Sequence, residues 1–317
     1  MLFDIAEPVG EPADVLTPEL RARIKRLELV TRRAMAGAMT GAYRSSFRGS
    51  GVEFEEVRPY QPGDEVRAID WNVTARTGEA HIKTYREERE LRVHLAVDCS
   101  RSMDFGTAEA TKREKAAELA ALLTAAAAQN NDPVSLDLFS AELEDHLQPR
   151  TGADHVLRVL RAVMGHRPGV GDGGARDAGL IDTLTGLGRT LRRRALLVVV
   201  SDFAYGSDSA WATELELLSR RHDVVCARVT DPLERELPDL GWLRLGDAES
   251  GAILDLDSSS ARVRSVWAER AAAAREQFRA GARRARADVL ELDTARPSVD
   301  PLVALFQRRA ARTGASA

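Results

Sequence analysis

The sequence is short of cysteine, of long apolar runs and of net charge, and each shortage removes a class of protein. Two cysteines in 317 residues, Cys99 and Cys226, cannot make a disulfide framework. Cys99 follows one strand pattern and Cys226 sits inside another, expected two strands away. Neighbouring strands lie about 4.8 Å apart, so these thiols are expected beyond disulfide reach. The least polar run, Ala116 to Ala128, contains Glu118 and Thr124 and falls short of a membrane span. The amino terminus carries Asp4 and Glu7 without a basic-then-apolar signal pattern. The expectation is a reduced, cytoplasmic protein. With 45 Lys and Arg against 49 Asp and Glu, the net charge of −4 gives no bulk attraction to nucleic acid or anionic lipid. The basic clusters Arg192–Arg194 and Arg283, Arg284 and Arg286 read as solvated helix faces.

Familiar catalytic patterns are missing too. The six histidines (81, 94, 146, 155, 166 and 222) show no paired metal spacing, and His94 reads as a satisfied core residue within a buried strand. Ser100 has no sequence-apparent His base and no Gly-x-Ser-x-Gly turn. The Gly-rich stretch Gly165 to Gly174 lacks a Lys-Ser/Thr ending and does not directly follow a buried strand. It reads as a flexible binding loop, not a phosphate cradle. A haloacid-dehalogenase-type phosphatase would need an acid at position 100, where this chain has Ser, so a general-acid step has no carrier.

What the chain does carry is a strand–helix rhythm. Thr17-Pro18-Glu19 predicts a helix start, and Leu20, Ile24, Leu27 and Val30 carry the helix to about Met39. From Gly41 to Thr77 glycines and prolines break the texture, and Val52, Phe54 and Val57 predict short strands. Beyond residue 80, apolar strands alternate with helical patterns: strands at 82–86, 91–97, 133–139, 195–200, 223–229 and 288–292, an antiparallel edge at 143–147, a hairpin across 242–256, and helices at 112–129, 154–163, 178–193, 209–220, 260–284 and 301–312. This alternation predicts an α/β fold with a parallel sheet covered by helices on both faces. The divisions are an irregular arm (1–16), an accessory helix plus a β-rich segment (17–87), the α/β domain (88–312) and a disordered tail (313–317).

The most informative run is Asp98-Cys99-Ser100-Arg101-Ser102, at the end of the first fully buried strand. It puts one carboxylate and two hydroxyls on a tight turn, and these are hard oxygen donors of the kind Mg²⁺ or Mn²⁺ prefers. Asp202 follows the most apolar strand. In open parallel sheets ligands bind beyond the carboxyl ends of strands, and right-handed crossovers permit these two strands to be neighbours. Asp98, Ser100, Ser102 and Asp202 would then converge. Ser and Asp are also good helix caps, so a capped, metal-free turn fits the same residues.

Asp98-x-Ser100-x-Ser102, with Asp202 after a later strand, resembles the metal-ion-dependent adhesion site of von Willebrand factor A domains. A wider set of motifs resembles the bacterial domain-of-unknown-function 58 family: Gly49 to Phe54, Arg58 to Asp64, Arg67 to Trp71, Ala75-Arg76, Tyr85, Glu88 and Glu90, then Asp231 to Glu234 and Leu237-Pro238. The resemblance covers about residues 20–310. It implies a von Willebrand factor A-like fold and association with a MoxR-type AAA+ ATPase. It further implies Mg²⁺ or Mn²⁺ bound directly by Asp98, Ser100 and Ser102 and through water by Asp202, with a partner's acidic side chain completing the shell. The pattern departs at one place: Ala175 stands where relatives commonly place a Thr ligand, while Thr183 and Thr185 lie about two turns further on and Asp172 or Asp177 could compensate.

The block 58–76 interleaves Arg58, Asp64, Arg67, Asp70 and Arg76 with Tyr60 and Trp71. It is expected to form a clasp of paired charges with its aromatics buried, or a partner surface. The resulting expectation is a non-catalytic protein-interaction module with a degenerate adhesion site, working as an adaptor for the ATPase. A metal-free scaffold is the alternative, and a metal-dependent hydrolase ranks last.

Overall fold

The computed structural model describes residues 17–36, 39–46, 52–62, 64, 69–87, 91–167, 176–204, 210–247 and 251–314. Helix α1 (Pro18–Met35) starts as predicted, with the Thr17 hydroxyl accepting from Leu20 N at 3.2 Å. It ends earlier than expected. Gly37, a poor helix former, follows its cap, and a second helix, α2 (Met39–Ser46), runs through Gly41 where broken texture was predicted. Packing decides the matter: Met39 and Tyr43 enter the core, and the Tyr43 hydroxyl donates to Asp132 at 3.0 Å. Strand β1 (Val52–Pro59) pairs antiparallel with β2 (His81–Glu87), and between them lies α3 (Trp71–Thr77), also unpredicted.

The remaining elements follow the predicted rhythm, apart from an unpredicted one-turn helix, α8 (Pro232–Arg235): β3 (Arg92–Asp98), α4 (Lys112–Gln129), β4 (Val134–Phe139), β5 (Leu143–Arg150), α5 (Ala153–Gly165), α6 (Arg176–Thr190), β6 (Ala195–Ser201), α7 (Ala210–Ser219), β7 (Asp223–Thr230), α8, β8 (Trp242–Gly246), β9 (Ile253–Asp257), α9 (Ala261–Arg284), β10 (Asp288–Asp293) and α10 (Val299–Gly314). The carboxyl-terminal helix thus continues two residues into the stretch expected to be a tail. The central sheet has the order β10-β7-β6-β3-β4-β5, parallel except for β5, and β8 and β9 form the predicted hairpin. This is a mostly parallel α/β sheet flanked by helices.

Strand alternation sorts the core into two layers, as the two-residue period of a strand requires. Val93, Leu95, Val97, Leu136, Val198, Val200 and Ala227 face the layer of α1, α2, α4, α5 and α10. Ala96, Leu197, Val199 and Cys226 face the layer of α6, α7 and α9. The first layer includes Ile24, Met35, Met39 and Tyr43, so α1 and α2 share the core of the α/β unit. Cys99 and Cys226 are free and buried; Cys99 follows β3, Cys226 lies in β7, and β6 separates those two strands. His94 is satisfied in the core, 2.7 Å from Ser135 Oγ and 3.1 Å from Asp137 Oδ2.

Two other histidines are less well served. Among the described residues, neither ring nitrogen of buried His222 has a hydrogen-bond partner, and His155 bonds only Val134 O. Burial, the leading cause, lowers both pKa values. The unfolded chain therefore takes up protons first, below about pH 6.5, so this stability is present above that pH and lost as the pH falls through the folded values. The midpoint of urea unfolding is expected to drop between pH 7.5 and 5.5, and to drop less in His222→Leu. Equal drops would remove His222 from the account.

Candidate functional site at the carboxyl edge of the sheet

Because β3 pairs with β6 in parallel, their carboxyl ends lie side by side, and the predicted convergence follows. Asp98 closes β3. Its Oδ1 accepts from Ser100 N at 2.9 Å, an Asx turn that bends the chain out of the sheet and into the short 3-10 turn Arg101–Asp104. Ser100 Oγ and Ser102 Oγ are then 3.2 Å apart, and Ser102 Oγ donates to Asp202 Oδ2 at 2.8 Å. All four predicted residues meet.

Asp202 is aimed by a strained backbone. Phe203 beside it has φ of 49°, a left-handed conformation that costs a side-chain-bearing residue about 1–3 kcal/mol. Ring packing of Phe203 with Trp211 and Phe278, at centroid distances of 5.1 and 4.8 Å, offsets that cost. Ala204 N donates to Asp202 Oδ1 at 3.0 Å. Burial and, second, the charge of Asp202 push the Asp98 carboxyl above the ordinary carboxylate range.

The structure adds residues that the sequence did not single out as a site. Ser201 Oγ donates to Asp98 Oδ2 at 2.7 Å. Lys112, the first residue of α4, has its ammonium 2.8 Å from Asp202 Oδ2 and 2.7 Å from Glu234 Oε1, with its side chain only 2% exposed. Burial opposes the charge on Lys112, but the two carboxylates outweigh it and raise its pKa. Arg113 donates to Cys99 O at 2.9 Å and pairs with Asp104, tying α4 to the same turn. Asp231, fully buried, accepts from Thr107 N, Thr107 Oγ1, Leu233 N and Thr294 Oγ1 and so joins three loops. One signal for these was legible: Asp231-Pro232-x-Glu234 is a capping box, and the structure forms it.

The donor types suit Mg²⁺ or Mn²⁺, and they are engaged with protein donors. Each oxygen of Asp98 and Asp202 already accepts from a protein donor, and one of these donors is an ammonium. Among the described residues no group of three or more His, Cys, Asp or Glu forms a ligand set. Ala175 and Asp172 lie outside the described residues, as does the side chain of Asp177. Thr185 turns to Glu214 at 3.4 Å instead.

The block 58–76 is not a single clasp. Arg58 and Asp64 form a bidentate pair with both contacts at 2.8 Å, as expected. Asp70 instead caps α3, accepting from Asn72 N and Val73 N, and Arg76 is exposed in the last turn of that helix. Trp71, expected to be buried, is 69% exposed, at the first position of a helix none of whose residues is buried. Arg67 lies outside the described residues.

The family described as "Protein of unknown function DUF58" matches residues 56–277, more than half of the chain. The chain belongs to this family. Relatives match beyond those residues at both ends: uncharacterized proteins of Mycobacterium bovis (Mb1516) and Mycobacterium tuberculosis (Rv1480) are each 35% identical over 306 residues, 96% of this chain and 93% of theirs. Among solved structures, the conserved hypothetical protein BatB of Bacteroides thetaiotaomicron is similar at 14% identity and TM-score 0.47, covering 70% of this chain and 99% of that one. A von Willebrand factor type A protein of Catenulispora acidiphila is similar at 13% identity and TM-score 0.40, covering 73% and 43%. No helix among the described residues of this DUF58 protein is long and apolar enough to cross a membrane.

Proposed function

We propose that this DUF58 chain is a cytoplasmic, non-catalytic protein-interaction module that presents the carboxyl edge of its sheet to a partner. The observation that carries the reading is the convergence of four segments, at Asp98–Ser102, Lys112, Asp202 and Glu234, on one polar cluster whose groups bond one another. The hydroxyls of Ser100 and Ser102 point at each other and at a carboxylate, and neither has an imidazole base to activate it. Such a cluster fixes the shape of an edge; it does not prepare a nucleophile. At its rim stand Arg101 and Phe105, both exposed.

The family resemblance makes a MoxR-type AAA+ ATPase the first partner to test, with this chain as its adaptor. Co-purification from native cytoplasm, read by mass spectrometry, is expected to recover the ATPase with the wild-type chain. The double variant Arg101→Ala, Phe105→Ala is expected to lose at least about tenfold of it, as removal of two central contacts does, with an unchanged melting temperature. Equal recovery by the variant would move the interface elsewhere. The exposure of Trp71 supports one alternative surface, the 58–76 block acting as a metal-free scaffold face. Loss of the partner from Trp71→Ala alone would select it.

A further inference from the structure

We propose that the ammonium of Lys112 is the resident cation of the carboxyl-edge site, supplying permanently the positive charge that its oxygen-rich turn calls for. The edge therefore needs no divalent ion. The proposal deepens the reading of this edge as a docking surface by fixing its ion requirement.

Three features of Lys112 point the same way. It occupies the first position of α4, where the positive end of the helix dipole disfavours a cation. Its side chain is withdrawn from water, which further disfavours the charge. Both costs are offset by two carboxylates from distant segments, Asp202 and Glu234, each within 2.8 Å. Helix α4 gains its own N-terminal support without this lysine, since Thr111 and Glu114 complete a capping box. The lysine serves the cluster, not the helix.

Its placement within the cluster is equally specific. Asp202 Oδ2 accepts both the Lys112 ammonium and the Ser102 hydroxyl, and Ser102 in turn touches Ser100. The ammonium is therefore one atom removed from the Asp98–Ser102 turn. A divalent ion drawn to these oxygens would meet a like charge held by the same carboxylate, and in a site this buried that repulsion is only weakly screened. Removing the lysine takes away the ammonium that Asp202 and Glu234 share, while the Arg228 guanidinium stays bonded to Asp202 O at 3.2 Å. The two carboxylates of Asp98 and Asp202 beside two hydroxyls are then a donor set a hard ion can use.

The test is Mn²⁺ binding followed by electron paramagnetic resonance, together with melting temperature in Mg²⁺ and in chelator, on the purified full chain. The wild type is expected to show no saturable Mn²⁺ binding and the same melting temperature in both conditions. Lys112→Met is expected to melt lower in chelator and to bind Mn²⁺. Mg²⁺ at about 100 times its Kd should raise the melting temperature of this variant by roughly 4 °C. Adding Asp98→Asn in the Lys112→Met background should abolish both effects. Lys112→Arg, which keeps the charge, should remain indifferent to the ions and guards against a Met variant that fails to fold. Saturable Mn²⁺ binding by the wild type, lost on Asp98→Asn, would overturn the proposal. So would a folded Lys112→Met that gains no ion response. No partner enters these measurements, so their outcome is independent of whether the edge docks the ATPase.

Discussion

Asp231→Ala is expected to destabilise the chain by about 3–6 kcal/mol, a loss that places this residue at the centre of the edge's architecture. The carboxylate is fully buried and accepts four hydrogen bonds, two from Thr107, one from Thr294 and one from Leu233 N. Truncation strands those donors, and each buried donor without an acceptor costs about 1–3 kcal/mol. Thr107 is exposed and water can reach it, whereas Thr294 is buried and depends on this oxygen. The cost has a pH signature. Burial alone would raise the Asp231 pKa, but the bonds from Thr107 and Thr294 outweigh it and hold the pKa below the ordinary carboxylate value. Its folded pKa is thus the lower one. Its contribution is present above about pH 4 and lost as the pH falls through the folded value. Urea unfolding at pH 7 should show the full deficit in Asp231→Ala, and the gap to wild type should narrow as the pH drops below 4. A deficit under about 1 kcal/mol, the worth of one ordinary hydrogen bond, would mean the three loops hold together without it.

Much of this edge was legible in the sequence because it is encoded locally. A strand's last residue and the turn after it are fixed by contiguous residues, so Asp98-x-Ser100-x-Ser102 could be placed from spacing. The apolarity of Ala195–Val200 marked a buried strand whose end, Asp202, had to emerge at the same side. The two-layer core followed from alternation in β3, β4 and β6. Lys112 was not legible. It sits in an ordinary helix start, and its partners lie 90 and 122 residues away, so no local period distinguishes it from a solvated lysine. The misreadings share a cause. Residue type alone misleads at Gly41 and Trp71: α2 holds because Met39 and Tyr43 are buried beside the glycine, and Trp71 stands exposed at the first position of a helix capped by Asp70. Tertiary packing overrode propensity in one case and local capping overrode hydrophobicity in the other.

Gly179→Ala tests a contact in which space, not backbone freedom, dictates the residue. Gly179 lies in α6, where the helix crosses the turn between β4 and β5. A Cβ there would sit 1.9 Å from Ser140 O and 2.7 Å from Ala141 C. Ordinary contact needs about 3.5 Å, so something must move by more than about 1 Å. The turn cannot easily yield, because Ser140 N is bonded to Glu142 O at 2.9 Å and its hydroxyl to Glu144. The helix must retreat instead. Leu180, Leu184 and Leu187 would then lift from Ala96, Leu197 and Val199, opening gaps in the second core layer. Overpacking and lost contact together predict a destabilisation of about 3 kcal/mol, despite the gain of up to about 1 kcal/mol that alanine brings to a helix interior. Gly186 in the same helix provides the internal control, since nothing among the described residues lies within 4 Å of its added Cβ. Gly186→Ala is expected to stabilise, by up to that same ~1 kcal/mol. Denaturant unfolding of the pair should therefore give opposite signs. Two variants that shift the same way would show that α6 is not seated on the β4–β5 turn.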